Sequence, residues 1–327
     1  AQSFAVTVAM REGYKMDLRL DSEITSSERR LELQDIGTVR LFGSEDRALL
    51  DVVPDIRALR SLLQIATSSQ VCILSVRPNL SASGGIQPTD AFSHSTSFFG
   101  SPISIPGPSD REVFHHQLLF SFPDIEDFAC AFISRWLDRW HKMEAAQVLF
   151  AATAYRSDVV LEELFFNIVR VCEAFHRIAI GGFEVSAEDH QSRIDEILHS
   201  CPGPHRKWLQ SKLHFSNELG LRRRLKDLWH YVGPEVTNHL PVSRSHLVAR
   251  TVELRNLLTH YSEVYRATGP KFSDMHSLAR WWTIILEACF LLDFGFPKER
   301  LGELYSRNRE YRWQRFLELR DLQFTAW

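Results

Sequence analysis

The chain has 327 residues and a formal net charge of −3 at pH 7, and 44% of its residues are hydrophobic and 24% charged. This composition is ordinary for a globular protein, and the length suggests two domains, each with enough chain for a buried core. The negative balance argues against a generally basic nucleic-acid binder, so any nucleic acid must be bound by a local patch. The longest apolar runs are too short and too interrupted to span a bilayer.

Cysteine usage indicates the compartment. The five cysteines are scattered and form no CxxC pair, which favours reduced and mostly buried thiols over a disulfide framework or a zinc site. We therefore predict a cytoplasmic protein, and the short apolar runs predict no membrane contact. We also expect no metal and no cofactor.

Residues 1–122 are predicted to form a β-rich sensing or regulatory module. Alternating or β-branched residues predict strands at Phe4–Val8, Arg30–Gln34, Thr38–Phe42, Gln70–Val76 and Val113–Phe122. The apolar spacing predicts one helix at Val52–Ala66. Residues Arg77–Ser109 are rich in Ser, Gly and Pro and predict a long loop. We find no glycine-rich phosphate loop and no catalytic motif in this part of the sequence.

From Asp124 onward the pattern is helical. Aromatic residues at helical spacing predict a long bridging helix over 123–156, with the aromatic stripe in the core. A helical bundle of four or five long helices follows at 157–296, and a helical tail is expected at 297–327. The predicted fold class is therefore α+β, with a β-rich N-terminal module followed by an all-α bundle.

The segment Ser243–Tyr265 combines core-forming spacing with chemistry-bearing side chains. Its apolar residues recur at steps of three and four, which predicts a helix with Ser243 as its N-cap. Asn256 and His260 are four residues apart and share a face, whereas Arg255 lies about 140° from His260 and reaches it only through its long side chain. Imidazole moves a proton near neutral pH, and guanidinium binds phosphate in a planar fork. The combination suits RNA cleavage by the neighbouring 2′-hydroxyl.

Spacing alone does not single out this segment, because Arg111 and His116 have the same separation as Arg255 and His260. The context does. Asn follows Arg255 directly, apolar residues fill the interval, and Tyr261 follows His260. The segment is also the next-to-last long helix of the helical region.

The run ELRNLLTHY, Glu253–Tyr261, resembles the signature of HEPN domains, whose ribonuclease members carry Arg-x4-6-His with a polar residue after the Arg. FNIVRVCEAFHR, Phe166–Arg177, resembles the Glu-bearing first helix of the Apea-like HEPN branch. LEACFLLDFGFP, Leu286–Pro297, resembles the closing helix of that branch. The resemblance covers roughly residues 157–295.

The resemblance implies a metal-independent endoribonuclease that acts as an effector of anti-phage defence, in the manner of abortive infection. It implies RNA as the substrate, with tRNA loops as the candidate class, and an active cleft at a HEPN homodimer interface. It also implies that a module such as residues 1–122 precedes the HEPN domain. We expect this module to gate the nuclease by sensing infection, because an unrestrained ribonuclease would kill its host, but the sequence does not identify the phage trigger.

In such a mechanism His260 is the general acid or base, and Arg255 stabilises the charge on the phosphorane-like transition state. Asn256 holds the second imidazole nitrogen or contacts the phosphate. The expected products are a 2′,3′-cyclic phosphate and a 5′-hydroxyl. The motif from Arg255 to His260 supplies one imidazole, which favours two chains that bring their helices together.

Two further residues are candidates for a supporting role. Glu173 either pairs with Arg255 and fixes its guanidinium or forms an ordinary salt bridge. Tyr261 fits core or rim packing better than catalysis. The alternative to an enzyme is a non-catalytic HEPN module that binds a nucleotide or a partner protein. In that case Arg255 and His260 are structural residues.

The strongest basic run consists of Arg222, Arg223, Arg224 and Lys226. It predicts contact with an RNA backbone, and such binding would depend on salt. A solvated helix face is the other explanation for a run of this kind.

Overall fold

The computed structural model describes residues 4–9, 15–27, 30–42, 49–71, 117–156, 158–260 and 272–308, and these residues are mostly helical. The chain divides into two compact units. The first comprises residues 1–144 and 294–296, and the second comprises residues 145–293 and 297–327. Within the described part of the chain, no helix is both long enough and apolar enough to cross a membrane.

The first unit begins with a three-stranded antiparallel sheet. Strands β1 (Phe4–Ala9), β2 (Lys15–Ser27) and β3 (Arg30–Phe42) lie in sequence order, so that β2 is the central strand. The alternation of apolar and polar residues along β2 is the pattern of a half-buried strand, and Met16 is fully buried.

Helix α1 (Leu49–Thr67) and the start of helix α2 (Ala129–Ala154) supply the described helical core of the first unit. Trp136 of α2 is fully buried, and its indole nitrogen donates a hydrogen bond of 3.0 Å to the carbonyl oxygen of Ala58 in α1. The Trp136 ring stacks on Phe294 with the ring centroids 4.0 Å apart. The predicted aromatic stripe therefore belongs to a core in this unit.

Some elements predicted for the N-terminal part are confirmed. Strand β1 contains the strand predicted at Phe4–Val8, and α1 contains the helix predicted at Val52–Ala66. Strand β3 joins two predicted strands into one, and β2 was missed. The loop predicted at Arg77–Ser109 lies outside the described residues.

The strand predicted at Val113–Phe122 is wrong over its described residues. Leu119 and Phe120 are buried, but their backbone N–H groups both donate to the carbonyl oxygen of Ala66 at the end of α1 rather than to a strand. A 3₁₀ turn follows at Phe122–Asp124. A β-rich module over 1–122 is therefore not supported, because the strands of the described residues all lie before residue 43.

The second unit is a helical bundle that begins with the end of α2. Its further helices are α3 (Leu161–Ala179), α4 (Ala187–Ser200), α5 (Gly203–Leu213), α6 (Leu221–Val232), α7 (Pro234–Thr237), α8 (Arg244–His260), α9 (Phe272–Asp293) and α10 (Lys298–Arg307). Helices α3 and α9 pack along each other, α6 contacts both, and α8 packs against α3, α6 and α9.

Aromatic packing fills the centre of this bundle. Phe290 of α9 lies between Phe150 and Phe175, with ring centroids 5.3 Å from each. Cys172, three residues before Phe175, and Cys289, directly before Phe290, are free and buried. Burial raises the pKa of both thiols well above the usual range. The expectation of buried thiols holds for these two, whereas Cys130 is exposed and Cys201 is half-buried.

A buried histidine joins α3 to α6. His176 is fully buried, and its Nε2 lies 3.2 Å from a carboxylate oxygen of Asp227. Burial lowers the pKa of His176, and the contact with Asp227 opposes that shift only in part. The folded protein therefore favours the neutral imidazole at this position.

Acidification should destabilise the folded protein through His176. Because the folded-state pKa is lowered, the unfolded chain takes up a proton at a higher pH than the folded chain does. The contribution of His176 is complete above the unfolded pKa of about 6.5 and is lost as the pH falls toward the folded value, by at most about 1.4 kcal/mol per pH unit. Urea denaturation at a series of pH values across this window measures the slope.

The matched variants are His176→Gln and His246→Gln, the second of which removes an exposed imidazole from α8. We expect a smaller slope in His176→Gln and an unchanged slope in His246→Gln. Because the pH slopes of the free energy of unfolding are compared, the test is valid even if His176→Gln lowers stability at every pH. A slope in His176→Gln equal to that of the wild type would assign the pH dependence to another group.

Candidate functional site

Helix α8 begins where the sequence predicts. The Ser243 hydroxyl accepts a hydrogen bond of 3.3 Å from the backbone N–H of His246, which is the contact of an N-cap. The described helix ends at His260, and Tyr261 lies outside the described residues. The face toward the bundle consists of buried residues at steps of one, three and four, namely Leu247, Val248, Thr251, Leu254 and Leu258.

Two contacts fix α8 against α9. The indole nitrogen of Trp282 donates to the Thr251 hydroxyl at 2.8 Å, and that hydroxyl donates to the Leu247 carbonyl oxygen at 2.7 Å. Near the edge of the helix, Arg250 forms a salt bridge of 2.9 Å with Asp274 of α9. Both contacts precede the candidate residues by one or two turns and set the rotation of α8 about its axis.

Arg255 and Asn256 lie in contact on the accessible side of α8. Arg255 is half-buried, Asn256 is exposed, and a guanidinium nitrogen of Arg255 donates to the Asn256 amide oxygen at 3.4 Å. His260 is the last residue of α8, so its Cα lies about one turn beyond that of Asn256. The structure thus brings together the first two of the three predicted catalytic residues, and the helical backbone carries the third on the Asn256 face.

Glu173 occupies a half-buried position on α3. Among the described residues it forms no ion pair with Arg255. Its charge acts on Arg224 instead: burial lowers the pKa of Arg224, and the field of Glu173 opposes that shift. The pairing of Glu173 with Arg255 therefore stays a prediction, and the described structure offers Arg224 as its electrostatic partner.

Arg224 is a structural residue and does not belong to an RNA-binding run. Its side chain is 3% exposed. Its guanidinium donates to the carbonyl oxygens of Leu219 at 2.8 Å and of Gly182 at 3.3 Å. Helical periodicity turns this residue inward, because buried Leu225 and Leu228 lie on the same side of α6.

The other three members of the basic run, Arg222, Arg223 and Lys226, are exposed. Arg223 is paired with Asp227 at 3.0 Å. A fourth cation, Arg244 of α8, joins this surface. A guanidinium nitrogen of Arg244 donates to Nε2 of His230 at 2.6 Å, and Nδ1 of His230 hydrogen-bonds to the Lys226 carbonyl oxygen at 2.8 Å.

The contact with His230 shows which side of α8 faces α6. Arg244 and Arg255 are eleven residues apart, and at roughly 100° per residue they lie about 20° apart around the helix. Arg255 is therefore on the side of α8 that Arg244 turns toward α6. We call the residues Arg222, Lys226, Arg244 and Arg255 the cationic stripe.

Sequence reasoning missed the contribution of Arg244 and His230. The eleven-residue spacing between Arg244 and Arg255 was a signal that could have been found, since it places two cations on one side of a helix. The contact between His230 and Arg244 depends on how α6 and α8 pack and has no signal in the sequence. Within the described residues, no cluster of His, Cys, Asp or Glu is arranged to hold a metal ion.

Comparison with known proteins agrees with the motif. The sequence model of a family described as Apea-like HEPN matches residues 166–300. This range runs from within α3 to the start of α10 and contains Glu173, Arg255, Asn256 and His260. No curated protein and no solved structure matches the chain.

Stability measurements can distinguish the structural role of Arg224 from the exposed position of Arg222 in the same basic run. Arg224→Met should lower the free energy of unfolding by about 2 to 4 kcal/mol, because it removes two hydrogen bonds of a charged donor in a buried site, to the carbonyl oxygens of Leu219 and Gly182. Arg222→Met removes an exposed guanidinium from the same helix and should change stability by no more than about 0.5 kcal/mol. Urea denaturation of both variants measures the difference. Equal stabilities would contradict the structural role of Arg224.

Proposed function

We propose that the protein is a metal-independent endoribonuclease that cleaves RNA with residues of α8, which lies within the range 166–300 that the Apea-like HEPN family model matches. The family assignment supports a nuclease or nucleotide-binding module. The observation that carries the proposal is the position of Arg255. Arg255 contacts Asn256 on the accessible side of α8, and it lies on the same side of that helix as Arg244, another member of the cationic stripe.

In the proposed reaction His260 removes the proton of a ribose 2′-hydroxyl, and the resulting oxygen attacks the adjacent phosphorus. The bond from phosphorus to the 5′-oxygen breaks, and that oxygen takes a proton from a second group. Arg255 stabilises the negative charge that develops on the phosphoryl oxygens. Since the Asn256 oxygen accepts a hydrogen bond from Arg255, Asn256 would act on the phosphate or the imidazole through its nitrogen.

The reaction needs a second acid–base group, and α8 supplies one imidazole after Arg255. We propose that a homodimer supplies the other, with the α8 helices of two chains facing one cleft. Two Arg255 residues would then share the charge of one phosphate, and the positive charge of the paired cationic stripes would be offset by the RNA backbone.

The proposed biological role is defence against phage, with RNA, including tRNA, as the target. A ribonuclease that is always active would damage its own cell, so the role requires a restraint. We propose that residues 1–122 supply this restraint until an infection trigger releases it. The family match supports the nuclease. The regulatory role is our inference from the need for a restraint and from the presence of residues 1–122 before the HEPN region.

Cleavage should depend on Arg255 and His260. We expect the purified full chain to cleave total RNA in EDTA at a low basal rate, because residues 1–122 restrain it, and to leave 2′,3′-cyclic phosphate and 5′-hydroxyl ends. The chain without residues 1–122 should cleave faster and leave the same ends. His260→Ala should lower the rate by a factor of about 100 or more, because a positioned general acid or base contributes about 10²- to 10⁴-fold. Arg255→Lys should also be impaired, since lysine lacks the planar fork. Mapping of the RNA ends and initial rates measure both effects.

His246→Ala is the matched control for this experiment, because it removes an exposed imidazole from the other end of α8. It should cleave RNA at the wild-type rate. Equal cleavage by the wild type and by His260→Ala would show that His260 is not catalytic. Binding of RNA or of a nucleotide by both proteins without cleavage would identify a non-catalytic module instead.

Expression in cells tests the restraint. A chain without residues 1–122 should be more toxic than the full chain, and the additional toxicity should disappear when His260→Ala is introduced. Growth after induction measures the toxicity, and immunoblotting controls for expression. Unchanged toxicity on deletion, at equal expression, would refute the regulatory role of residues 1–122 and leave the nuclease proposal to the cleavage assay.

A further inference from the structure

A second cationic surface surrounds α5. The 21 residues from Ile197 to Asn217 contain no Asp or Glu, although the whole chain has a net charge of −3. The same stretch contains three Lys or Arg residues and three His residues. Such a segment is a local positive patch in a protein that is otherwise slightly acidic.

Exposed aromatic rings accompany these cations. Trp208 on α5 is 62% exposed, and Phe215 in the turn after α5 is 68% exposed. Trp208 and Lys212 are four residues apart, and His205 lies three residues before Trp208, so the three side chains share one side of the helix. Lys207 and Lys212 are exposed and form no ion pair within the described residues. We call His205, Lys207, Trp208, Lys212 and Phe215 the α5 surface.

The α5 surface is held in place by its own local contacts. The turn that carries Phe215 is tied to α4 by a contact of 2.9 Å between Nε2 of His190 and the hydroxyl of Ser216. The Asn217 side chain accepts from the N–H of Val185 and donates to its carbonyl oxygen, each at 3.1 Å. Because both contacts fix the backbone next to Phe215, little conformational freedom is lost when a ligand stacks on the ring.

Cations and stacked rings together match one kind of ligand. Single-stranded RNA offers phosphates for Lys207 and Lys212 and unpaired bases that stack on aromatic rings. A second copy of this surface is a poor occupant, since a symmetric contact would place lysines against lysines without a carboxylate to pair them. The neighbouring helix α4 carries Glu188, Asp189, Asp195 and Glu196, which repel a polyanion and so limit the patch to α5.

We propose that the α5 surface is a binding site for single-stranded RNA, separate from the candidate cleavage residues on α8. The choice of RNA as the ligand rests on the proposed function. The α5 surface holds an unpaired segment of the substrate by stacking on Trp208 and Phe215. It therefore favours RNA with exposed loops or ends over continuous duplex.

The decisive variants are Trp208→Leu and Trp208→Phe, made in the His260→Ala protein so that bound RNA is not cleaved. Leucine keeps the apolar bulk but has no ring on which a base can stack, whereas phenylalanine keeps the ring. The probe is a fluorescein-labelled single-stranded oligoribonucleotide of about 15 nucleotides, a length near the upper end of common site sizes. Fluorescence anisotropy should show a loss of affinity of about tenfold or more for Trp208→Leu and a loss of no more than about threefold for Trp208→Phe.

The charge contribution has its own matched pair. Lys212→Glu should weaken binding and lower the slope of log affinity against log salt by about 0.7, the value for one phosphate contact to a single strand. Lys142→Glu makes the same change at an exposed position of α2 and should leave the affinity and the slope unaltered. Thermal unfolding of each variant verifies that the fold is intact.

Three outcomes would overturn the proposal. The first is that Trp208→Leu binds RNA as tightly as its parent protein. The second is that Lys142→Glu weakens binding as much as Lys212→Glu does. The third is that Trp208→Leu leaves RNA binding unchanged and alters the oligomeric state in sedimentation. The last result would identify a protein interface. Failure of the proposed function is seen separately. If neither the wild type nor the chain without residues 1–122 cleaves RNA but binding requires Trp208, the nuclease is wrong and the α5 site stands.

Discussion

The hydrogen bond between Trp282 and Thr251 is the contact on which the candidate site depends. The Thr251 hydroxyl accepts from the indole and donates to a backbone carbonyl, so both of its functions are used in a buried place. Loss of such a partner costs about 1–3 kcal/mol, which opposes any rotation of α8 against α9. Because each residue advances the helix by about 100°, this one contact also determines that Arg255 lies at the rim and Asn256 faces outward.

Helix α6 shows how three consecutive arginines acquire different roles. Periodicity turns Arg224 into the bundle, where backbone carbonyls near the start of α6 accept its N–H groups, and leaves Arg222 and Arg223 exposed. The buried guanidinium keeps its charge near Glu173 and Glu218. A single run of basic residues therefore supplies both a structural cation and part of the cationic stripe.

The sequence was sufficient to predict what depends on local periodicity. The N-cap at Ser243, the helical range that includes Arg255 and His260, and α1 follow from spacing that the fold keeps. It was insufficient where a distant partner decides. The residues around Leu119 have the sequence pattern of a strand, but the Leu119 N–H donates to a carbonyl at the end of α1. Arg224 has the sequence context of a surface cation, and only the packing of α6 shows that it is buried. The contact between His230 and Arg244 likewise exists only because two helices meet.

The net charge of −3 does not conflict with a proposed RNA ligand. At physiological ionic strength the Debye length is about 8 Å, so a phosphate near Lys207 or Lys212 is affected mainly by charges within that distance. The 21-residue segment without a carboxylate keeps acidic side chains out of the sequence around Lys207 and Lys212, although the neighbouring α4 carries several, and the cationic stripe groups further cations. Carboxylates elsewhere then act against non-specific binding to the rest of the surface. A slightly acidic protein with two local cationic surfaces is thus suited to bind RNA in a defined place.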